Sequence, residues 1–146
     1  MTTASIQLPQ RTQFNYESLA EAFPDADPGL KPFGNRVLVQ IRTPKQKSKG
    51  GIILGNETKE TELWNTQVAR VVELGPVAFC NRDTLQPWPE GSWAQPGAFV
   101  RVPKYGGDRW FVPVNGGVEM ALFVLFNDLD LIGQITGDPL EVIAFI

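Results

Sequence analysis

From Leu30 onward the apolar positions fall into short runs cut by glycine and proline. Arg36-Val37-Leu38-Val39-Gln40-Ile41-Arg42 alternates in part, which puts Val37, Val39 and Ile41 on one inward face of a strand. Gln67 to Leu74 is rich in β-branched residues and stops at the turn signal Gly75-Pro76. Phe99-Val100-Arg101-Val102, Trp110-Phe111-Val112, Ala121 to Phe126 and Leu129 to Ile135 follow, divided by Tyr105-Gly106-Gly107 and Asn115-Gly116-Gly117. Short strands at this spacing predict an all-β fold, a small barrel or sandwich. Between the second and third strands, residues 77–96 hold Pro87, Pro89, Gly91 and Pro96 around Trp88 and Trp93, so a long excursion is expected there.

The two ends read differently. Phe14 and Leu19 flank Asn15 as a hydrophobic staple flanks an N-cap, predicting a short helix from about Tyr16 to Phe23. Pro24 and Pro28 close it, and Leu19 and Phe23 share a face that can dock on the body. The stretch before Phe14 is expected to be loose. After Gly137-Asp138-Pro139, the stretch Leu140 to Ile146 again looks like a strand. The division that follows is 1–29 as an N-terminal extension, 30–136 as the β domain and 137–146 as a C-terminal extension.

One segment breaks the pattern. Gly50-Gly51-Ile52-Ile53-Leu54 places three aliphatics directly after two glycines, between Lys45 to Lys49 on one side and Asn56 to Glu62 on the other. Taken alone, the pentapeptide suits the opening of an ordinary buried strand with Gly50-Gly51 as its turn. Such a strand would run only about 3–5 residues before Gly55-Asn56, at the short end for a core strand. The polar stretch around it is also long for a hairpin loop, and long gaps tend to be functional or disordered. Glycine has the most backbone freedom to lose on ordering. The second reading is therefore a loop at about 43–62 that offers a greasy tip to a partner.

Composition narrows the chemistry. The 146 residues carry a net charge of −3, no histidine and a single cysteine, Cys80. An acidic chain without clustered Lys and Arg has no footprint for nucleic acid. The lysines at 45, 47 and 49 are offset by Glu57, Glu60 and Glu62 and serve to solvate the loop. One cysteine excludes an intrachain disulfide, and Cys80 reads as a small hydrophobe beside Phe79. Without histidine there is no Ser-His-Asp or Cys-His arrangement and no imidazole zinc site. Asp25-Ala26-Asp27 lacks the remaining ligands of a calcium loop, and no phosphate-binding glycine loop precedes a Lys-Ser/Thr pair. The start of the chain lacks a secretory pattern, and the most apolar window, Met120 to Phe126, falls far below the ~20 residues a bilayer needs. The expectation is a cytoplasmic protein with no metal and no enzyme activity. Four tryptophans and nine phenylalanines supply aromatic mass for a core.

Taken together these residues resemble the GroES family of co-chaperonins, the lids of chaperonin folding chambers. The family's opening strand is matched by Lys31-Pro32-Phe33-Gly34-Asn35-Arg36-Val37-Leu38-Val39. Its loop of the form Lys-x-x-Gly-Gly-Ile-Ile/Val-Leu is matched by Lys47, Gly50, Gly51, Ile52, Ile53 and Leu54. Its return strand is approximated by Val71, Val72, Leu74 and Gly75, and its Lys-Tyr-x-Gly pattern by Gly97, Val100, Lys104, Tyr105 and Gly107. The closing strand resembles Asp130-Leu131-Ile132-Gly133-Gln134-Ile135, so the likeness runs in order over about 30–136. Ala98 and Asn35 stand where the family has aspartate, and the roof segment, about 77–96, is rewritten. Extended versions of this kind are similar to those encoded by bacteriophages, which would place the chain in a host cytoplasm.

The resemblance implies a small GroES-like β-barrel with a long mobile loop, a roof excursion and both terminal extensions. It implies a heptameric homo-oligomer in which one subunit's first strand pairs with the next subunit's last. Pro32, Arg36, Val37 and Val39 would then face Leu131, Ile132 and Ile135 of a neighbour. Gly50, Gly51, Ile52, Ile53 and Leu54 would enter a groove on a GroEL-type chaperonin, and Trp88 and Trp93 would line the roof over an unfolded client. The implied function is capping of the chaperonin ring to assist ATP-dependent folding. No cofactor is implied, because ATP belongs to the partner. The medium-chain alcohol dehydrogenases share this barrel type, but the chain lacks their length and zinc ligands. The alternative is a viral β-barrel structural or head-decoration protein with a strand-swapping tail at Leu140–Ile146.

Overall fold

A computed structural model describes residues 18–43, 66–117 and 119–143. Six strands make one sheet: β1 (Arg36–Ile41), β2 (Val68–Leu74), β3 (Phe99–Arg101), β4 (Asp108–Val114), β5 (Glu119–Asn127) and β6 (Gly133–Gln134). Their order across the sheet is β4-β5-β1-β2-β3-β6, and every pairing is antiparallel. The fold is thus all-β, as the alternation and turn signals predict. The only α-helix among the described residues is α1 (Leu19–Ala22), with 3-10 turns at Asn115–Gly117 and Asp128–Asp130.

β1 occupies the centre because both of its faces are covered. Val37, Val39 and Ile41 point into the main core with Ala69, Val71, Val100, Leu122, Val124 and Phe126. The opposite face carries Leu38, packed with Ala121, Phe123 and Val114 and with the partly buried Ala26 and Trp110. A half-exposed strand would show polar residues on its outer face, whereas Leu38 and Gln40 are both buried. The cover is the N-terminal extension. Gln40 Nε2 donates to Pro24 O at 2.8 Å, and Trp110 Nε1 donates to Pro28 O at 3.0 Å. Those bonds supply partners for polar groups that burial would otherwise strand.

Several boundaries differ from the expected ones. The helix begins at Leu19 behind Ser18, whose side chain accepts from the Glu21 amide, so Ser18 is the cap; Asn15 lies outside the described residues. Phe23 docks on the body but Leu19 does not, being 44% exposed while Ala22 is buried. The described part of the extension is four residues of helix followed by an extended strap held by the sheet's own side chains. The expected strand Leu129–Ile135 shrinks to β6, because Asp128–Asp130 winds into a 3-10 turn first. Leu140–Val142 is a turn rather than a strand: the Glu141 and Val142 amides both donate to Asp138 O, and Asp138 Oδ1 accepts from the Leu140 amide. Residues 144–146 lie outside the described residues.

Candidate functional site

β1 and β2 are neighbours, with Ile41 opposite Ala69 at the end where the intervening segment leaves and returns. Its described ends are tied to the body. The Arg42 amide donates to Val68 O at 2.9 Å, and Gln67 and Val102 exchange a backbone bond of 2.9 Å and a side-chain bond of 3.1 Å. Antiparallel pairing therefore carries the chain out at Thr43 and back at Thr66 side by side. The residues expected to bind a chaperonin, Gly50, Gly51, Ile52, Ile53 and Leu54, lie outside the described residues, as does most of the expected 43–62 loop.

The other expected functional region, the roof, is fully described. Ala78 and Phe79 are buried in the main core, and the chain then turns through Asn81–Gln86 back to a bridge between Cys80 and Pro87. Asn81 drives that turn: its Oδ1 accepts from the Asp83 and Thr84 amides, and its backbone pairs with Leu85 and Gln86. Trp88 and Trp93 are brought together, ring centroids 4.8 Å apart, and both pack against Phe79 at 5.5 and 5.9 Å. Trp93 Nε1 donates to Glu90 Oε2. An open groove of about 450 Å³ runs between this cluster and Leu129, edged by Arg82, Asp83 and Glu90.

Asp128 fastens the roof to the sheet, a role not foreseen from its position. Its side chain is fully buried, and its carboxylate accepts from the Phe79 amide at 2.9 Å, the Leu129 amide at 2.8 Å and Asn35 Nδ2 at 3.2 Å. Arg82 approaches it at 3.5 Å from the surface. Phe79 sits at φ 60, which a bulky residue rarely adopts, so the carboxylate holds a backbone that would otherwise relax. The sequence signal available was Asn35, which stands where the family has aspartate and is the side chain that meets Asp128.

Two glycines of the family pattern have a physical reason here. A Cβ on Gly75 would run into the carbonyls of Gly34 and Arg36, where the Gly75 amide bonds Arg36 O at 2.8 Å. Gly107, at φ 72, lies against Val124 and the Leu125 carbonyl and admits no side chain. Beside it, Arg109 closes the 104–107 turn by donating to Gly106 O and Lys104 O, and burial pulls its pKa below the usual arginine value.

Residues 29–109 match the family model described as the Chaperonin 10 Kd subunit. The chain belongs to this family. Among similar proteins, the Co-chaperonin GroES of Methylacidiphilum infernorum is 26% identical over 115 residues, covering 76% of this chain and 98% of the relative. That of Tetragenococcus halophilus is 27% identical over 107 residues, covering 70% and 95%. That of Caldicellulosiruptor saccharolyticus is 28% identical over 78 residues, covering 53% and 73%. The GroES-like family is one of co-chaperonins, not of enzymes, and the six-stranded antiparallel sheet is consistent with its small β fold.

The residues expected at a subunit seam are split by the structure. Val37 and Val39 are buried in the protomer's own core, and β1 is hydrogen-bonded on both edges by β2 and β5. Pro32 and Leu131 are also buried, and Ile135 packs beside Phe23, Val68 and Phe99. Arg36 and Ile132 are exposed. Two apolar residues not singled out from the sequence stand out more: Phe33 is 80% exposed and Leu129 60%.

Proposed function

We propose that this co-chaperonin caps a GroEL-type chaperonin ring, with Ile52, Ile53 and Leu54 as the anchors and Gly50-Gly51 as their hinge. The observation that carries the reading is the position of this tripeptide. It lies between two paired antiparallel strands, inside the span that matches the family. Burying three such side chains contributes roughly 5–9 kcal/mol, at about 1.5–3 each. Ordering a segment on binding costs about 2–5 kcal/mol or more. One arm alone then binds weakly, and several arms on a ring raise the avidity by about 100- to 10,000-fold. The chaperonin hydrolyses ATP; this chain binds no cofactor and acts in the cytoplasm on a client enclosed beneath it.

The proposed oligomer is a heptamer. Phe33, Leu129 and Ile132 are exposed apolar side chains that favour a seam, with the exposed Arg36 near Phe33 in sequence. Val37 and Val39 would contribute only by holding β1 in place. Over the chamber, the Trp88–Trp93 cluster forms the ceiling. The rival reading is a head-decoration protein with a swapping tail. Leu140–Val142 instead folds into a turn on its own protomer, which favours the lid.

Ile53→Asp is the test. The variant is expected to assemble like the parent and to lose nucleotide-dependent capture by a GroEL-type chaperonin. Undiminished capture would overturn the assignment of the tripeptide.

A further inference from the structure

We infer that the two terminal extensions form a clamp on the roots of the chaperonin-binding segment, with Arg42 and Arg101 as positioning residues. The inference rests on the function proposed above. The described parts of the two extensions, 18–28 and 137–143, lie outside the span that matches the family model, yet both converge on the place where the chain leaves β1 and re-enters β2. At the outgoing root, the Thr43 amide donates to Ala22 O at 2.7 Å, so α1 bonds directly to the last described residue before the segment. Arg42, almost wholly buried, donates through Nη1 to Pro139 O at 2.9 Å and Val142 O at 3.0 Å. At the returning root, Arg101 donates through Nη2 to Gln67 Oε1 at 3.1 Å and through Nη1 to Ile143 O at 3.0 Å.

One short C-terminal turn thus offers carbonyls to two arginines, one serving each root. Asp138 holds the turn in the shape that aims those carbonyls. An apolar cluster sits behind the bonds: Ala22, Phe23 and Val68 with Phe99, Ile135, Leu140 and Val142. Phe23 packs against Phe99 at a tilt, ring centroids 5.3 Å apart, and the Arg70 guanidinium lies 5.2 Å over the Phe23 ring. Charge-assisted bonds to carbonyls are among the stronger hydrogen bonds, and here they connect elements that the sheet alone does not join. Roots held in one geometry leave less chain to order when the tripeptide docks, which tightens binding without any added contact.

The test uses the full-length assembled protein and Asp138→Ala, which loosens an exposed turn without touching the sheet. Asp138→Asn, which keeps the side-chain acceptor, is the rescue, and truncation after Gly137 is the stronger perturbation. Three quantities are read: hydrogen exchange in peptides spanning 41–43 and 66–68, affinity for a GroEL-type chaperonin with nucleotide, and the melting temperature. Asp138→Ala and the truncation are expected to speed exchange at both roots and to weaken binding about five- to tenfold, the low end of typical coupling between sites. Asp138→Asn is expected to match the parent, and the Asp138→Ala melt to stay close to it. Unchanged root exchange, or faster exchange with undiminished affinity, would overturn the clamp. A parent protein that never binds the chaperonin would overturn the function instead, leaving root exchange to decide the clamp.

Discussion

Replacing Asp128 with alanine removes the acceptor shared by the Phe79 amide, the Leu129 amide and Asn35 Nδ2. Phe79 is fully buried, so its N–H would lose its partner where water does not reach. Leaving a buried donor unsatisfied costs about 1–3 kcal/mol, and each hydrogen bond to a charged acceptor contributes about 1.5–3. Arg82 adds almost nothing to the sum, because its side chain is 58% exposed and screened by solvent. With part of the loss recovered by relaxation, the net is about 3–5 kcal/mol, which for a domain of this size lowers the melting temperature by roughly 10 °C. Asp128→Asn keeps one acceptor oxygen but turns an amide toward other donors, so an intermediate shift is expected. The assay is thermal denaturation followed in parallel by circular dichroism and tryptophan fluorescence, since Trp88 and Trp93 pack on Phe79 and report the roof. An alanine variant melting within 2 °C of the parent, with unchanged fluorescence, would refute the latch.

Two further substitutions test the packing argument. Gly75→Ala drives a methyl group into the carbonyls of Gly34 and Arg36 and is expected to cost about 1–3 kcal/mol in chemical denaturation; a loss under half a kcal/mol would show that the β1–β2 junction can part. Phe23→Ala empties the seat of the N-terminal extension beside Phe99 and is expected to cost about 3 kcal/mol, whereas a parental denaturation midpoint would mean the extension is incidental to stability.

The strand elements were legible because period-two alternation and Gly/Pro punctuation act locally: Val37, Val39 and Ile41 share the inner face as their spacing demands. The family was legible because Gly50-Gly51-Ile52-Ile53-Leu54 is an apolar run in a polar setting, followed by pattern glycines at 75 and 107. What escaped were features made by distant residues. Asp128 reads as one acid in an acidic turn until Asn35 and the Phe79 amide, far away in sequence, close on it. Arg42 stands at the end of the alternating run, and only the distant C-terminal turn explains its burial. The mostly apolar stretch Leu140–Ile146 predicts a strand, but over its described part Asp138 captures the Leu140, Glu141 and Val142 amides and winds them into a turn. The extension helps to bury Leu38 and Gln40, through Ala26 and the Pro24 carbonyl, and no local pattern encodes that cover.

Sedimentation of the assembled protein with a GroEL-type chaperonin, with and without ATP, addresses the heart of the account. The lid reading predicts co-sedimentation at the chaperonin's position only when nucleotide is present, and a free oligomer larger than one 16.2 kDa chain. A single-subunit species that ignores the chaperonin under both conditions would contradict it.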